Sequence, residues 1–209
     1  MSKYQVEDLK APEFQLIDQL QHNDLMPFIK KAYEQRNTIY YCYNGLTIVF
    51  MIVLFTLMLK EVVRGELRFS TEFIYFSYGI LATFTLIPLH EYIHAVAYKY
   101  VGAKKTSYDM NLRKFYFMAM ADKFVVNSRE FRIVVLAPFI TISIGCVILF
   151  IFLPGMWKFA AFGLFFTHSM FCSGDFGFLS YLNNHKTKDI YTYDDKEKGE
   201  SYFFERVED

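Results

Sequence analysis

The stretch Phe73–Tyr98, FIYFSYGILATFTLIPLHEYIHAVAY, opens with 17 uncharged residues up to Leu89 and then, before its apolar pattern ends, carries the cluster His90, Glu91 and His94. At about 1.5 Å rise per residue a run of this length is long enough for a membrane-crossing helix. Ionisable groups inside such a helix are costly enough to point to function by default. Outward from it, the same pattern recurs. Asn37 to Leu59 holds 23 residues without a charge between Arg36 and Lys60, about 34 Å as a helix. Ile133 to Trp157 has no charge at all, and Phe159 to Asn184, after a turn with Pro154 and Gly155, is interrupted by one acid, Asp175. Because a backbone in hydrocarbon must satisfy its own hydrogen bonds, these runs predict an all-α membrane protein with about four transmembrane helices.

The rest of the composition fits an ordered chain. Of 209 residues 54% are hydrophobic and 20% aromatic, with 24 Phe and 16 Tyr against 5 Pro and 10 Gly, which excludes disordered and collagen-like classes. Lys plus Arg equals Asp plus Glu at 22 each, so no basic footprint favours nucleic acid as a partner; the expected partner is the lipid bilayer. Loop charges give an orientation. Residues 1–36 carry five Lys/Arg, the loop 60–72 three, residues 99–132 eight, the turn 154–158 one and the tail from Lys186 five. With both termini and the central segment inside, 18 positive residues lie on the cytoplasmic side and 4 on the other, as the positive-inside rule asks.

Three regions follow: a cytoplasmic or interfacial segment 1–36, a transmembrane core 37–185 and an acidic cytoplasmic tail 186–209. The first contains Phe14, Leu16, Ile17, Leu20, Leu25, Phe28 and Ile29 at loosely helical spacing and predicts an amphipathic helix on the membrane surface. It is polar throughout, so the first span is expected to act as its own insertion signal. The tail, with Asp194, Asp195, Glu197, Glu200, Glu205, Glu208 and Asp209, reads as a solvated end. Cys42, Cys146 and Cys172 fall inside proposed spans without CxxC spacing, which predicts small core residues rather than a disulfide framework. Abundant Phe, Tyr, Lys and Asn point to a bacterial cell membrane.

His90-Glu91-Tyr92-Ile93-His94 is an HExxH pattern. In a helix, positions four apart differ by about 40° around the axis and about 6 Å along it, so two imidazoles converge on one cation. Glu91 lies beside them, placed to polarise water rather than to ligate. A centre built for chemistry needs a third protein ligand and an open position. Asp175 is the candidate: entering from outside, His90 lies 17 residues and His94 21 residues beyond Phe73, and Asp175 lies 18 beyond Trp157. The depths coincide, and Gly174 and Gly177 would allow close helix approach. His168, two turns before Asp175, reads as a polar contact lining the cavity. His22 and His185 read as ordinary surface residues.

On these residues the chain resembles intramembrane zinc metallopeptidases of the site-2 protease type, and more closely a family of small membrane zincin peptidases, over roughly residues 70 to 185. The resemblance implies Zn2+ held by His90, His94 and Asp175, with Glu91 as general base. Arg132-Ile133-Val134-Val135-Leu136-Ala137-Pro138 also resembles the family's stretch before its third helix. The acid sits in Cys172-Ser173-Gly174-Asp175-Phe176-Gly177, without the Asn-Pro element that site-2 proteases carry before theirs.

Between the second and third spans, Lys104 to Met118 is aromatic-rich with Asn and Asp at turn positions and predicts a short strand or hairpin in the central cytoplasmic loop. Such an edge beside the metal suits β-augmentation of an unwound substrate segment; an interfacial loop meeting lipid head groups is the other reading. The expected function is hydrolysis of a peptide bond in or next to the membrane, with a membrane protein or peptide as substrate. The alternative is a non-catalytic metal-binding or scaffold protein using the same His/His/Asp site.

Overall fold

Pro88 and Cys172 break two of the four apolar runs, and strands occupy both polar ends of the chain. The computed structural model describes residues 4–63, 69–111 and 116–207. In chain order they form β1 (Phe14–Gln21), α1 (Leu25–Glu34), α2 (Thr38–Val63), α3 (Phe69–Thr85), α4 (Ile87–Tyr100), β2 (Ser107–Asn111), β3 (Tyr116–Met120), β4 (Val126–Asn127), α5 (Ser128–Phe152), α6 (Trp157–Phe171), α7 (Ser173–Asn184), β5 (Asp189–Asp195) and β6 (Glu200–Arg206). The chain divides into two units. One comprises Met1–Ile39, Glu91–Ala137 and Gly174–Asp209, the other Tyr40–His90 and Pro138–Ser173.

The first unit is built on an antiparallel sheet of order β1-β6-β5-β4. Pairing of Tyr191 with Phe204 and of Tyr193 with Tyr202 puts an aromatic row on one face, where Leu9, Phe14, Val125 and Tyr191 form a buried cluster. The opposite face carries Ile190 and Phe203, and Phe203, fully buried, packs against Phe28 of α1 at 5.6 Å and Tyr181 of α7 at 4.8 Å. Helices α1 and α7 pack tightly because Gly177 has no side chain: a Cβ there would lie 2.4 Å from Ile29 Cγ2. Separately, β2 and β3 pair antiparallel, Ser107 with Met120 through Asn111 with Tyr116, so the central segment does hold a hairpin.

In the second unit α3 and α6 pack through two glycines. A Cβ on Gly79 would lie 2.0 Å from the Ala160 carbonyl oxygen, and one on Gly163 2.2 Å from that of Phe76. Small residues let membrane-type helices approach this closely. Thr83, fully buried, donates to the Leu164 carbonyl across the same seam at 3.3 Å, and Phe50 of α2 meets Phe165 of α6 at 4.4 Å.

Helix α5 starts with a capping box. The Asn127 carboxamide oxygen accepts from the Arg129 and Glu130 N–H at 2.9 and 3.0 Å, and Glu130 accepts from the Asn127 N–H at 3.1 Å. The helix continues through an internal Pro138.

The all-α, four-span expectation is therefore corrected. Among the described residues α5 is the one helix long and apolar enough to cross a membrane; a second crossing exists only if α3 and α4, bent by 48°, count as one span. The bend has a local cause: Pro88 lacks an N–H and its ring collides with the carbonyl four residues earlier, so the helix stops at Thr85 and restarts at Ile87. The fourth run is two short helices, α6 and α7, meeting at Cys172, and α2 contributes a shorter apolar stretch, Thr38–Val53. The N-terminal amphipathic helix is replaced by β1 and a ten-residue α1. The acidic tail is β5 and β6, the centre of the sheet. Arg64 and Arg68 of the 60–72 loop, Arg113 and Lys114 of the central segment, and Glu208 and Asp209 of the tail lie outside the described residues.

Candidate metal centre

His94 shows the chemistry most directly. Its Nδ1 lies 2.9 Å from the Val134 carbonyl oxygen on α5. A carbonyl only accepts, so Nδ1 carries the hydrogen, and in the neutral ring Nε2 keeps the lone pair. That Nε2 faces the Asp175 carboxylate, 3.3 Å from Oδ1, with the two side chains 10% and 15% exposed. Two lone-pair atoms held this close in a largely water-free setting need positive charge between them, a proton or a cation. Donors bonded at about 2.0–2.1 Å to one tetrahedral zinc stand about 3.3 Å apart, so the pair fits two corners of a zinc site.

His90 sits one turn before His94 on α4, and its backbone N–H reaches Leu86 O at 2.8 Å across the break. Its Nδ1 lies 3.2 Å from Nε2 of His168, a residue of α6 that is 1% exposed. The Cys172 sulfur stands 3.7 Å from the same His168 nitrogen. His90, His168 and Cys172 thus form a second group of donors, all within 4.8 Å of one another. A neutral imidazole has one lone pair. If His90 donates its Nδ1–H to His168, its Nε2 keeps the lone pair, the same tautomer as that of His94, and His168 is the partner that orients the ring.

Glu91 is buried, and one of its carboxylate oxygens accepts from the Ala119 N–H of β3 at 2.7 Å. Ala119 therefore points its N–H away from β2, toward α4. On that edge β3 pairs with no other strand among the described residues.

Of the residues expected in the site, His94 and Asp175 are brought into contact, His90 is carried on the same helix, and Glu91 is turned to the hairpin edge. Gly177 makes a close approach to α1, whereas nothing lies within 4 Å of where a Gly174 Cβ would be. His168 is a direct neighbour of His90; its spacing of four residues from Cys172, which puts both on one face of a helix turn, was the available signal. His22 is corrected from surface residue to core: it is 3% exposed and its ring nitrogens lie 3.2 Å from Asp109 Oδ2 and 3.2 Å from Ser201 Oγ. His185 is half-buried, with Nδ1 3.0 Å from the Tyr181 carbonyl.

No curated protein and no solved structure matches the chain. Residues 83–190, from the end of α3 to the start of β5 and containing all of these side chains except His22 and Ser201, match the model of a family described as "putative zincin peptidase", and the chain belongs to that family.

Proposed function

We propose that the protein is a zinc metallopeptidase that hydrolyses a peptide bond in or next to a membrane, with His90, His94 and Asp175 as metal ligands and Glu91 as general base. The observation that carries this reading is the His94 arrangement: one ring nitrogen committed to Val134, the other held 3.3 Å from the Asp175 carboxylate. Zinc in such a site supplies Lewis acidity, polarising a carbonyl and making water a nucleophile near neutral pH. Glu91, next to His90 in sequence, takes the proton as water oxygen bonds to the carbonyl carbon. It returns that proton to the leaving amine as the C–N bond breaks. An extended substrate segment would lie along β3, whose edge already presents the Ala119 N–H to Glu91.

The membrane part of the proposal is supported by the second unit's surface. Ile48, Ile52 and Phe55 of α2, Phe73 and Leu81 of α3, and Ile144, Ile148 and Ile151 of α5 are each at least half exposed. Apolar patches of this extent call for a cover, and acyl chains supply one. Both terminal segments and the central segment 99–132 fall in the other unit, joined through β1–β6 and β4–β5 pairing.

The test is proteolysis by zinc-loaded protein reconstituted in lipid vesicles with a mixture of single-span peptides, products being read by mass spectrometry. Wild type should generate new termini. Glu91→Gln should hold zinc as wild type does and lose about a hundredfold or more of the rate. A Glu91→Gln protein that cleaves at the wild-type rate removes Glu91 from the mechanism.

A further inference from the structure

Pro138 lies eleven residues into α5, fully buried, in the middle of the helix. Interior prolines are costly because they remove one helical hydrogen bond and push away the carbonyl four residues earlier. For Pro138 that carbonyl belongs to Val134. The Val134 oxygen is also the acceptor of the His94 Nδ1–H at 2.9 Å. The missing helical donor and the imidazole thus meet at one atom.

We infer that Pro138 is a positioning residue for the metal centre: by having no N–H it releases the Val134 carbonyl, which then fixes the tautomer and orientation of His94. The inference rests on the zinc reading above. Its logic is that of the outer partner of a metal-bound histidine, which sets which nitrogen carries the hydrogen and where the other points. In an uninterrupted helix the Val134 oxygen would be aligned along the axis with the N–H of residue 138. The proline ring tilts it off that line, and the carbonyl is available from the side. His94 is buried and has its other nitrogen against Asp175, so the ring has little freedom to find a different acceptor. The loss of a helical bond within α5 is thereby converted into a fixed ligand on α4.

The experiment uses the full chain in detergent and measures two quantities: zinc affinity by competition with a chromophoric chelator, and the unfolding midpoint of the metal-free protein. Pro138→Ala restores the N–H. It should weaken zinc binding by about 10–100-fold, the usual effect of losing such a partner, while the metal-free midpoint rises, because alanine repairs the helix. The double variant Ala137→Pro/Pro138→Ala keeps a proline in α5 but releases the Ile133 carbonyl instead, about 100° around the axis. It should lose zinc affinity to a similar degree without the rise in midpoint. Cobalt-substituted Pro138→Ala should also show altered ligand-field bands at saturating metal, a change that a purely structural proline would not produce. Zinc affinity within threefold of wild type in Pro138→Ala overturns the inference, as does a loss that merely follows a lowered metal-free midpoint. A wild type that takes up no zinc, or a His94→Ala variant that binds it as well as wild type, overturns the metal reading itself.

Discussion

Replacing Asp175 by Asn keeps the side chain's size and removes its charge. The His94–Asp175 pair lies at 3.3 Å with both side chains at most 15% exposed, which places it with buried pairs rather than with surface ion pairs worth about 0–1 kcal/mol. Losing one partner of a buried pair costs about 3–5 kcal/mol, and with a cation between the partners that cost falls on cation binding. At about 1.4 kcal/mol per tenfold, zinc affinity should drop by about a hundredfold to several thousandfold. The assay is thermal unfolding with and without zinc. At a zinc concentration 100 times the wild-type Kd, binding stabilises by about 2.7 kcal/mol, whereas a Kd weakened a hundredfold leaves about 0.4 kcal/mol. For a chain of this length the zinc-induced rise in Tm should shrink from about 5–11 °C to about 1–2 °C. A variant that keeps the full zinc-induced rise would refute the assignment of Asp175 as a ligand.

Three further outcomes follow from particular contacts. His168→Leu removes the acceptor facing His90 Nδ1 and should weaken zinc binding about 10–100-fold, with His168→Gln, whose amide oxygen can occupy the Nε2 position, recovering most of it; chelator competition reads both. Phe203→Ala, in the middle of the acidic tail, should cost about 3–5 kcal/mol by denaturant unfolding, since the ring is fully buried against Phe28 and Tyr181, whereas a solvated tail would lose nothing. Burial holds the Asp194 carboxyl above the ordinary carboxylate range, against hydrogen bonds from Ser201 and Tyr98. The folded state therefore keeps that proton where the unfolded chain has lost it. The contribution is present below the ordinary carboxylate pKa and disappears as pH rises through the raised value, so stability measured against pH should be flatter in that window for Asp194→Asn than for wild type.

The contact of His94 with an acid of a later apolar run was within reach of the sequence because its parts are local signals. HExxH fixes two imidazoles by helix geometry alone, and Asp175 stood out as the one acid in an apolar run. The paired strands Ser107–Asn111 and Tyr116–Met120 were legible from the aromatic and turn residues of the segment. The sheet was hidden for identifiable reasons. In β1 the register shifts between Leu16 and Asp18, an irregularity that breaks the two-residue period and leaves Phe14, Ile17 and Leu20 at a spacing that imitates a helix. In β5, Asp189-Ile190-Tyr191-Thr192-Tyr193-Asp194-Asp195, four of seven residues are aromatic or β-branched, yet the surrounding acids made the segment read as solvated. The long apolar runs were counted by length, and length does not register Pro88 or the Cys172 break, which turn two apparent spans into four shorter helices. His22 was misplaced for the same reason as the tail: its partners Asp109 and Ser201 come from segments distant in sequence.

The most direct measurement is zinc K-edge absorption on the zinc-loaded 209-residue chain. The account predicts one zinc per chain with nitrogen and oxygen neighbours only, at about 2.0–2.1 Å, and the outer-shell pattern of two imidazoles. A sulfur neighbour at about 2.3 Å would place the metal with His168 and Cys172 instead, and would contradict the His90, His94 and Asp175 site.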